Sequence, residues 1–316
     1  MSAWRLLDPQ LAPLFEGAPS PVFATETLPA LRQVMGGGPI VDRRLDGASI
    51  LVEEHELPRG DGTALRVVVL RPRDGDPAGL PGVLHGHPGG WILGRPETSA
   101  ATLIDIVCGL PCVVVSVDYR LAPEHPFPAA HNDMLLALKW MRAEAQRLGV
   151  DRTRIVLAGE SAGANVAVGL ALRCRDEGID RGIVAVSLVY AALDDRQLAQ
   201  PPHPYAGTIG LGGEQMRFAW NSYVPGAPSS HVSAYAAPAR AEHLRGLPPV
   251  FLAVGALDPF IEDNLSFAQR LIHDGVSTTL HVLAGAPHGF DRLESAEVTQ
   301  QLRALRRAHL QRHLVP

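Results

Sequence analysis

From residue 82 onward the chain alternates short apolar runs with segments of helical period, and this alternation limits the fold more than any other feature. The runs are Gly82–His85, Cys112–Val117, Arg154–Ala158, Ile183–Tyr190, Val250–Val254 and Thr278–Leu283. Apolar runs of this kind suit strands buried on both faces of a sheet, which is the parallel case. Between two of them Met134, Leu138, Met141 and Ala145 recur at i, i+4, i+7 and i+11 ahead of Gly149, which predicts a helix with a glycine stop. Val166, Leu170 and Cys174 continue a second helix. The expectation is an α/β fold with a mostly parallel central sheet and helices on both faces. Upstream, Ile50–Leu57 and Ala64–Leu70 flank Pro58-Arg59-Gly60-Asp61-Gly62 and predict an antiparallel hairpin.

Two segments depart from this rhythm. Residues 1–45 carry Pro9, Pro13, Pro19, Pro21, Pro29 and Gly36-Gly37-Gly38, so they predict short helices laid over the rest of the chain. At 191–235, Pro201-Pro202-His203-Pro204 and Gly210-Leu211-Gly212-Gly213 bracket a short helix containing Phe218, Trp220 and Tyr223. At 316 residues the chain is near the limit for one hydrophobic core. The expected organisation is a core of 46–190 and 236–316, with a cap built from 1–45 and the insertion 191–235.

Charge excludes some functions. The balance of 28 Lys+Arg against 33 Asp+Glu gives a net charge of -5, with no block of like charges, so neither nucleic acid nor an anionic membrane is an expected partner. Cys108, Cys112 and Cys174 are too few and too irregular for a disulfide framework or a zinc site, which points to a reducing compartment. The stretch from Met1 to Pro9 has no continuous apolar segment of the secretory kind, and no run approaches about 18 apolar residues. A cytoplasmic protein with no integral membrane association is expected.

Ligands of open parallel sheets bind beyond the carboxyl ends of the strands, and four chemically able pieces fall there. Ser161 stands between Gly159 and Gly163, directly after a strand and before a helix, where a tight reversal forces the serine into the open. Asp258 follows Phe251–Val254, His288 follows His281–Leu283, and the run His85-Gly86-His87-Pro88-Gly89-Gly90-Trp91 follows the first strand of the series. A serine hydroxyl needs a base to take its proton and a third group to hold that base in one tautomer; His288 and Asp258 suit those roles. The backbone N–H groups of Gly89, Gly90 and Ala162 suit an oxyanion. Glu262 and Asp263 compete with Asp258, which is preferred because it comes first after its strand. Trp91, Phe218, Trp220 and Tyr223 are candidate pocket walls, with ordinary packing the alternative for each.

These residues carry a resemblance to the bacterial hormone-sensitive-lipase-type (family IV) esterases of the α/β-hydrolase fold. His87-Pro88-Gly89-Gly90-Trp91 resembles their oxyanion motif and Gly159-Glu160-Ser161-Ala162-Gly163 their nucleophile motif. Asp258-Pro259-Phe260 and Ala286-Pro287-His288-Gly289-Phe290 resemble the acid and histidine motifs. Asp118-Tyr119-Arg120-Leu121-Ala122-Pro123-Glu124, continued by Phe127-Pro128-Ala129-Ala130 and Asp133, matches a long family signature. Three positions depart: Pro88 replaces a glycine, Glu160 stands where aspartate is commonest, and Ala164 where a further glycine is common. The resemblance implies a cofactor-free serine carboxylesterase acting on small-molecule esters of short to medium acyl chain, with homodimerisation left open. For Arg120 a structural network bracing the oxyanion loop is preferred over a grip on a substrate carboxylate.

Three rivals accompany this reading. A non-catalytic ligand receptor on the same fold typically lacks the working histidine, and a carbon–oxygen lyase would differ in its products. A metal hydrolase is suggested by His85-x-His87, but no Asp-His follows that pair, so no metal is expected.

Overall fold

The computed structural model describes residues 2–17, 21–40, 43–45, 48–73, 79–201 and 203–315; Pro19 and Pro202, two of the prolines read as breaks, lie outside the described residues. Nine strands among these residues form one sheet: β1 (Arg43–Leu45), β2 (Ala48–Pro58), β3 (Ala64–Pro72), β4 (Leu80–Gly86), β5 (Val113–Val117), β6 (Val150–Glu160), β7 (Ile183–Val189), β8 (Val250–Gly255) and β9 (Thr278–Leu283). Their order is β1-β2-β3-β5-β4-β6-β7-β8-β9. The first three strands are antiparallel, β3 also runs antiparallel to β5, and the remaining strands pair in parallel. The β2–β3 hairpin closes at Pro58 opposite Ala64, where the glycine-rich turn was expected.

Strand composition follows from burial on both faces. In β5 the run Val113-Val114-Val115-Ser116-Val117 is buried throughout. Val113, Val115 and Val117 pack with Met134, Leu138, Val168 and Leu172 on one face. Val114 turns to the other face with Leu103, Ile106, Leu310 and Leu314. Each fully buried valine of this kind contributes about 1.5–3 kcal/mol relative to exposure. The helices Ala129–Ala143 and Ala162–Asp176 cover the first face, and Ala100–Gly109 and Glu297–Leu314 the second.

Two local boundaries differ from the sequence reading. Residues 129–148 form two helices, Ala129–Ala143 and Ala145–Leu148, interrupted at Glu144, although Gly149 ends them in a left-handed conformation (φ 72°) as expected. β6 extends beyond Arg154–Ala158 at both ends, because Leu80 pairs with Val150 and Glu160 with Val189. Two short α-helices, Ala12–Phe15 and Leu28–Met35, occupy the described part of the N-terminal segment together with two 3-10 turns, and Gly213–Tyr223 is the helix of the insertion. Gln215 Nε2 donates to the Pro21 carbonyl at 2.7 Å and so links the two segments.

Candidate active site

The carboxyl ends of β4, β6, β7, β8 and β9 lie along one edge of the sheet, and the chemically able residues project from that edge. The β6-to-helix reversal is made by contact, as the glycine spacing requires. A Cβ on Gly163 would sit 2.0 Å from the Gly86 carbonyl oxygen, and one on Gly159 would sit 2.5 Å from the Gly163 carbonyl carbon. Backbone meets backbone at both places, so no side chain can move aside. Gly163→Ala is therefore expected to destabilise the protein by about 2–3 kcal/mol, the upper part of the overpacking range. An unchanged urea midpoint would contradict it.

The same turn holds Ser161 at φ 56° and ψ -120°. Among the described residues only Trp91 (φ 61°), Ser161 (φ 56°) and Tyr190 (φ 38°) combine a side chain with a positive φ, and all three lie on the wall of one cavity. Such strain, on the order of 1–3 kcal/mol per residue, persists where packing over-determines the backbone, as at functional sites. The Ser161 N–H donates to the Val189 carbonyl at 2.9 Å, which ties the turn to β7.

The structure brings Ser161, His288 and Asp258 together across 127 and 30 residues of chain. Ser161 Oγ donates to His288 Nε2 at 3.0 Å, and His288 Nδ1 donates to Asp258 Oδ2 at 2.7 Å. Asp258 is fully buried, and its other oxygen accepts the Phe260 N–H at 2.9 Å, so the carboxylate is oriented from both sides. Of the competing carboxylates, Glu262 is exposed, and Asp263 accepts the Asp194 N–H at 3.1 Å.

The glycine-rich loop lies across the cavity from His288. Gly89 adopts φ 132°, and a Cβ there would sit 2.1 Å from the Leu93 carbonyl oxygen. Its carbonyl accepts the N–H groups of Ile92 and Leu93 at 3.1 and 2.9 Å. Among the described residues no acceptor takes the N–H of Gly89 or Gly90, and both glycines line the cavity together with Ala162. The proline at 88 takes part through its carbonyl, which accepts His87 Nδ1–H at 2.9 Å. Burial lowers the His87 pKa to about 3, so the ring is neutral.

The Asp118–Glu124 signature braces this loop. Tyr119 stacks on His87 with centroids 4.0 Å apart and donates its hydroxyl to the His87 carbonyl at 2.7 Å. Glu124 holds both terminal nitrogens of Arg32 at 2.8 and 2.7 Å, and Arg32 Nε donates to the Ile92 carbonyl at 2.9 Å. Arg120 is committed to buried Asp133 through its backbone N–H and two guanidinium nitrogens at 2.9–3.0 Å, and Arg59 joins the same carboxylate at 2.9 Å. That leaves Arg120 in a structural network, the preferred of its two readings.

The cavity has a volume of about 460 Å³ and is lined mainly by apolar side chains. Trp91 and Trp220 are on its wall, but Phe218 and Tyr223 are not. Tyr223 stacks behind Trp91 at 4.2 Å with its hydroxyl 3.1 Å from His131 Nδ1, and Phe218 packs against the core. These two are corrections to the wall expected from sequence: helical period alone does not tell which face of Gly213–Tyr223 meets the cavity. Residues not anticipated include Phe15, Phe23, Met216, Tyr190 and Asp291. Tyr190 has a legible signal, since it directly follows β7 at the same sheet edge as Ser161. His85 lies between Ser116 Oγ at 3.0 Å and Glu160 at 2.8 Å, so both ring nitrogens of this half of the His85-x-His87 pair are taken. Among the described residues no helix is long and apolar enough to cross a membrane.

Comparison with known proteins places this arrangement. The family described as alpha/beta hydrolase fold matches residues 83–292. Esterase LipI of Mycobacterium tuberculosis is 31% identical over 90% of this chain and 88% of its own length. Carboxylesterase NlhH of the same species is 36% identical over 72% of this chain and 74% of its own. Among solved structures, a bacterial heroin esterase superposes with a TM-score of 0.88 at 31% identity, covering 100% of both chains. Esterase LipW from Mycobacterium marinum gives 0.86 at 31% identity, covering 99% of this chain and 97% of its own. Motifs, sheet order and relatives agree, and the chain belongs to the α/β-hydrolase family, among its hormone-sensitive-lipase-type carboxylic-ester hydrolases.

Proposed function

We propose that this ester hydrolase works through an acyl-enzyme on Ser161 and takes esters of short to medium acyl chain. The observation that carries the proposal is the continuous chain of hydrogen bonds Ser161–His288–Asp258, opening on a cavity whose wall also includes Gly89, Gly90 and Ala162, the residues whose N–H groups would meet an oxyanion. Ser161 Oγ attacks the ester carbonyl as His288 Nε2 takes its proton, and the new oxyanion lies against the three N–H groups. His288 returns the proton to the departing alkoxide. Water then attacks the acyl-serine with His288 again as base, releasing the acid and restoring Ser161. Asp258 keeps His288 Nδ1 protonated so that Nε2 can accept.

The N-terminal segment and the 191–235 insertion act as a cap, a reading supported by Phe15, Phe23, Leu211 and Trp220 among the cavity walls. At about 460 Å³ the cavity lies toward the lower end of the roughly 300–1,000 Å³ common for small-molecule sites. With p-nitrophenyl esters, kcat/KM is expected to be highest within the acetate-to-octanoate range and to fall about ten-fold or more at laurate and beyond, as the tail outgrows the walls. Equal efficiency on palmitate would overturn the chain-length assignment. A cytoplasmic location suits the buried thiols of Cys112 and Cys174, pushed by burial up to about 12 and about 11.

A further inference from the structure

Two acids reach the wall of the cavity, and they differ in how their charge is met. Glu160 is matched, with His85 Nε2 at 2.8 Å and Arg306 Nη1 at 3.3 Å. Asp291 forms no ion pair among the described residues. Its Oδ1 accepts the Tyr190 hydroxyl at 2.7 Å, and among the described residues no other side-chain donor reaches the carboxylate. The neighbouring cation, which also reaches the cavity wall, does not pair with it: Arg292 donates Nε to the Gly289 carbonyl at 3.1 Å and lays its guanidinium over the Phe15 ring at 5.9 Å.

An under-matched carboxylate on an apolar wall is costly unless a ligand supplies the missing donor or charge. Burial pushes the Asp291 carboxyl up, the Tyr190 hydroxyl pulls it back, Glu160 pushes it up again and Arg306 lowers it. An incoming cation would favour its charged form. Position says which part of an ester comes here. The Tyr190 ring lies 4.6 Å from the His288 ring while its hydroxyl holds Asp291, so the acid lies on the His288 side of the cavity, the side a leaving alcohol must approach to receive its proton. Phe260, 5.3 Å from His288, adds a second aromatic ring to that side, and aromatic faces attract cations.

We propose that Asp291, held by Tyr190, recognises an ammonium group on the alcohol portion of the ester, so that the preferred substrates are esters of short amino alcohols. This rests on the ester-hydrolase reading above. The direct comparison is 2-(dimethylamino)ethyl butanoate with its neutral isostere 3-methylbutyl butanoate near neutral pH. The ratio of their kcat/KM values is expected to favour the cation by about ten-fold, and Asp291→Asn, which keeps an acceptor for Tyr190, to reduce that ratio by about ten-fold. A ratio unaltered by the substitution, or a native chain that prefers the neutral ester or an anionic hemisuccinate ester, would overturn the inference.

A second measurement does not depend on the Asp291 variant folding or on turnover. Calorimetric titration of the Ser161→Ala chain with the two esters is expected to give about ten-fold tighter binding of the cation. Equal binding sinks the inference. If the native chain hydrolyses neither these esters nor p-nitrophenyl acetate, the hydrolase reading fails; if it hydrolyses p-nitrophenyl acetate alone, that reading stands, and in both cases this binding comparison decides the role of Asp291.

Discussion

Ser161→Ala is expected to lower kcat on p-nitrophenyl acetate by about 10⁶ while leaving the fold and melting temperature nearly unchanged. The size of the effect follows from the site. Oγ is the only atom of this residue engaged with His288, at 3.0 Å, and its removal leaves a base with nothing to activate. Residual rate over water, from donors and binding alone, should remain at about 10³–10⁴. Stability should hold because the backbone tie to Val189 does not involve the side chain and because alanine tolerates the turn about as well as serine does. Steady-state kinetics with a thermal melt check both halves, and retention of more than a few per cent of native kcat would remove Ser161 from the nucleophile's role.

The second large effect is expected at Asp258. Asp258→Asn should cost about 10⁴ in kcat, with little change in KM. The carboxylate only accepts hydrogen bonds, so it demands a proton on His288 Nδ1, 2.7 Å away, and leaves Nε2 free to take the serine proton. An asparagine amide can present an N–H instead, which drives the imidazole to the opposite tautomer and blocks that transfer. Glu262→Gln is the control: the side chain is exposed, and its kcat should stay within about two-fold of native, as surface substitutions usually do. If Glu262→Gln proved the damaging change, the acid would have to be reassigned.

Much of the site was legible before any coordinates. Gly159 and Gly163 announce a strand-to-helix reversal because only glycine permits backbone contacts this close, and such contacts are set by residues a few positions apart. Strand ends are legible for a similar reason, since β5 and β8 are apolar apart from Ser116 and the terminal Gly255, and stop where that pattern stops. The helix break at Glu144 was not, because the apolar period of Met134, Leu138, Met141 and Ala145 runs through it without interruption. Residue type and proximity in sequence make Tyr223 a candidate for either the pocket or ordinary packing, and its stacking on Trp91 places it one layer behind the wall.

The sequence by itself determined the α/β class, the order of serine, acid and histidine along it, and the glycine turns that expose the serine and shape the loop at Gly89 and Gly90. These depend on local backbone geometry and on burial period, both of which residue types encode over short distances. Only the tertiary structure decided which carboxylate meets His288, that Arg120 belongs to Asp133, and which side chains wall the cavity. Phe15, Tyr190, Trp220 and Asp291 come from four separate parts of the chain, and their convergence depends on how segments pack across the edge of a sheet, which no local pattern records.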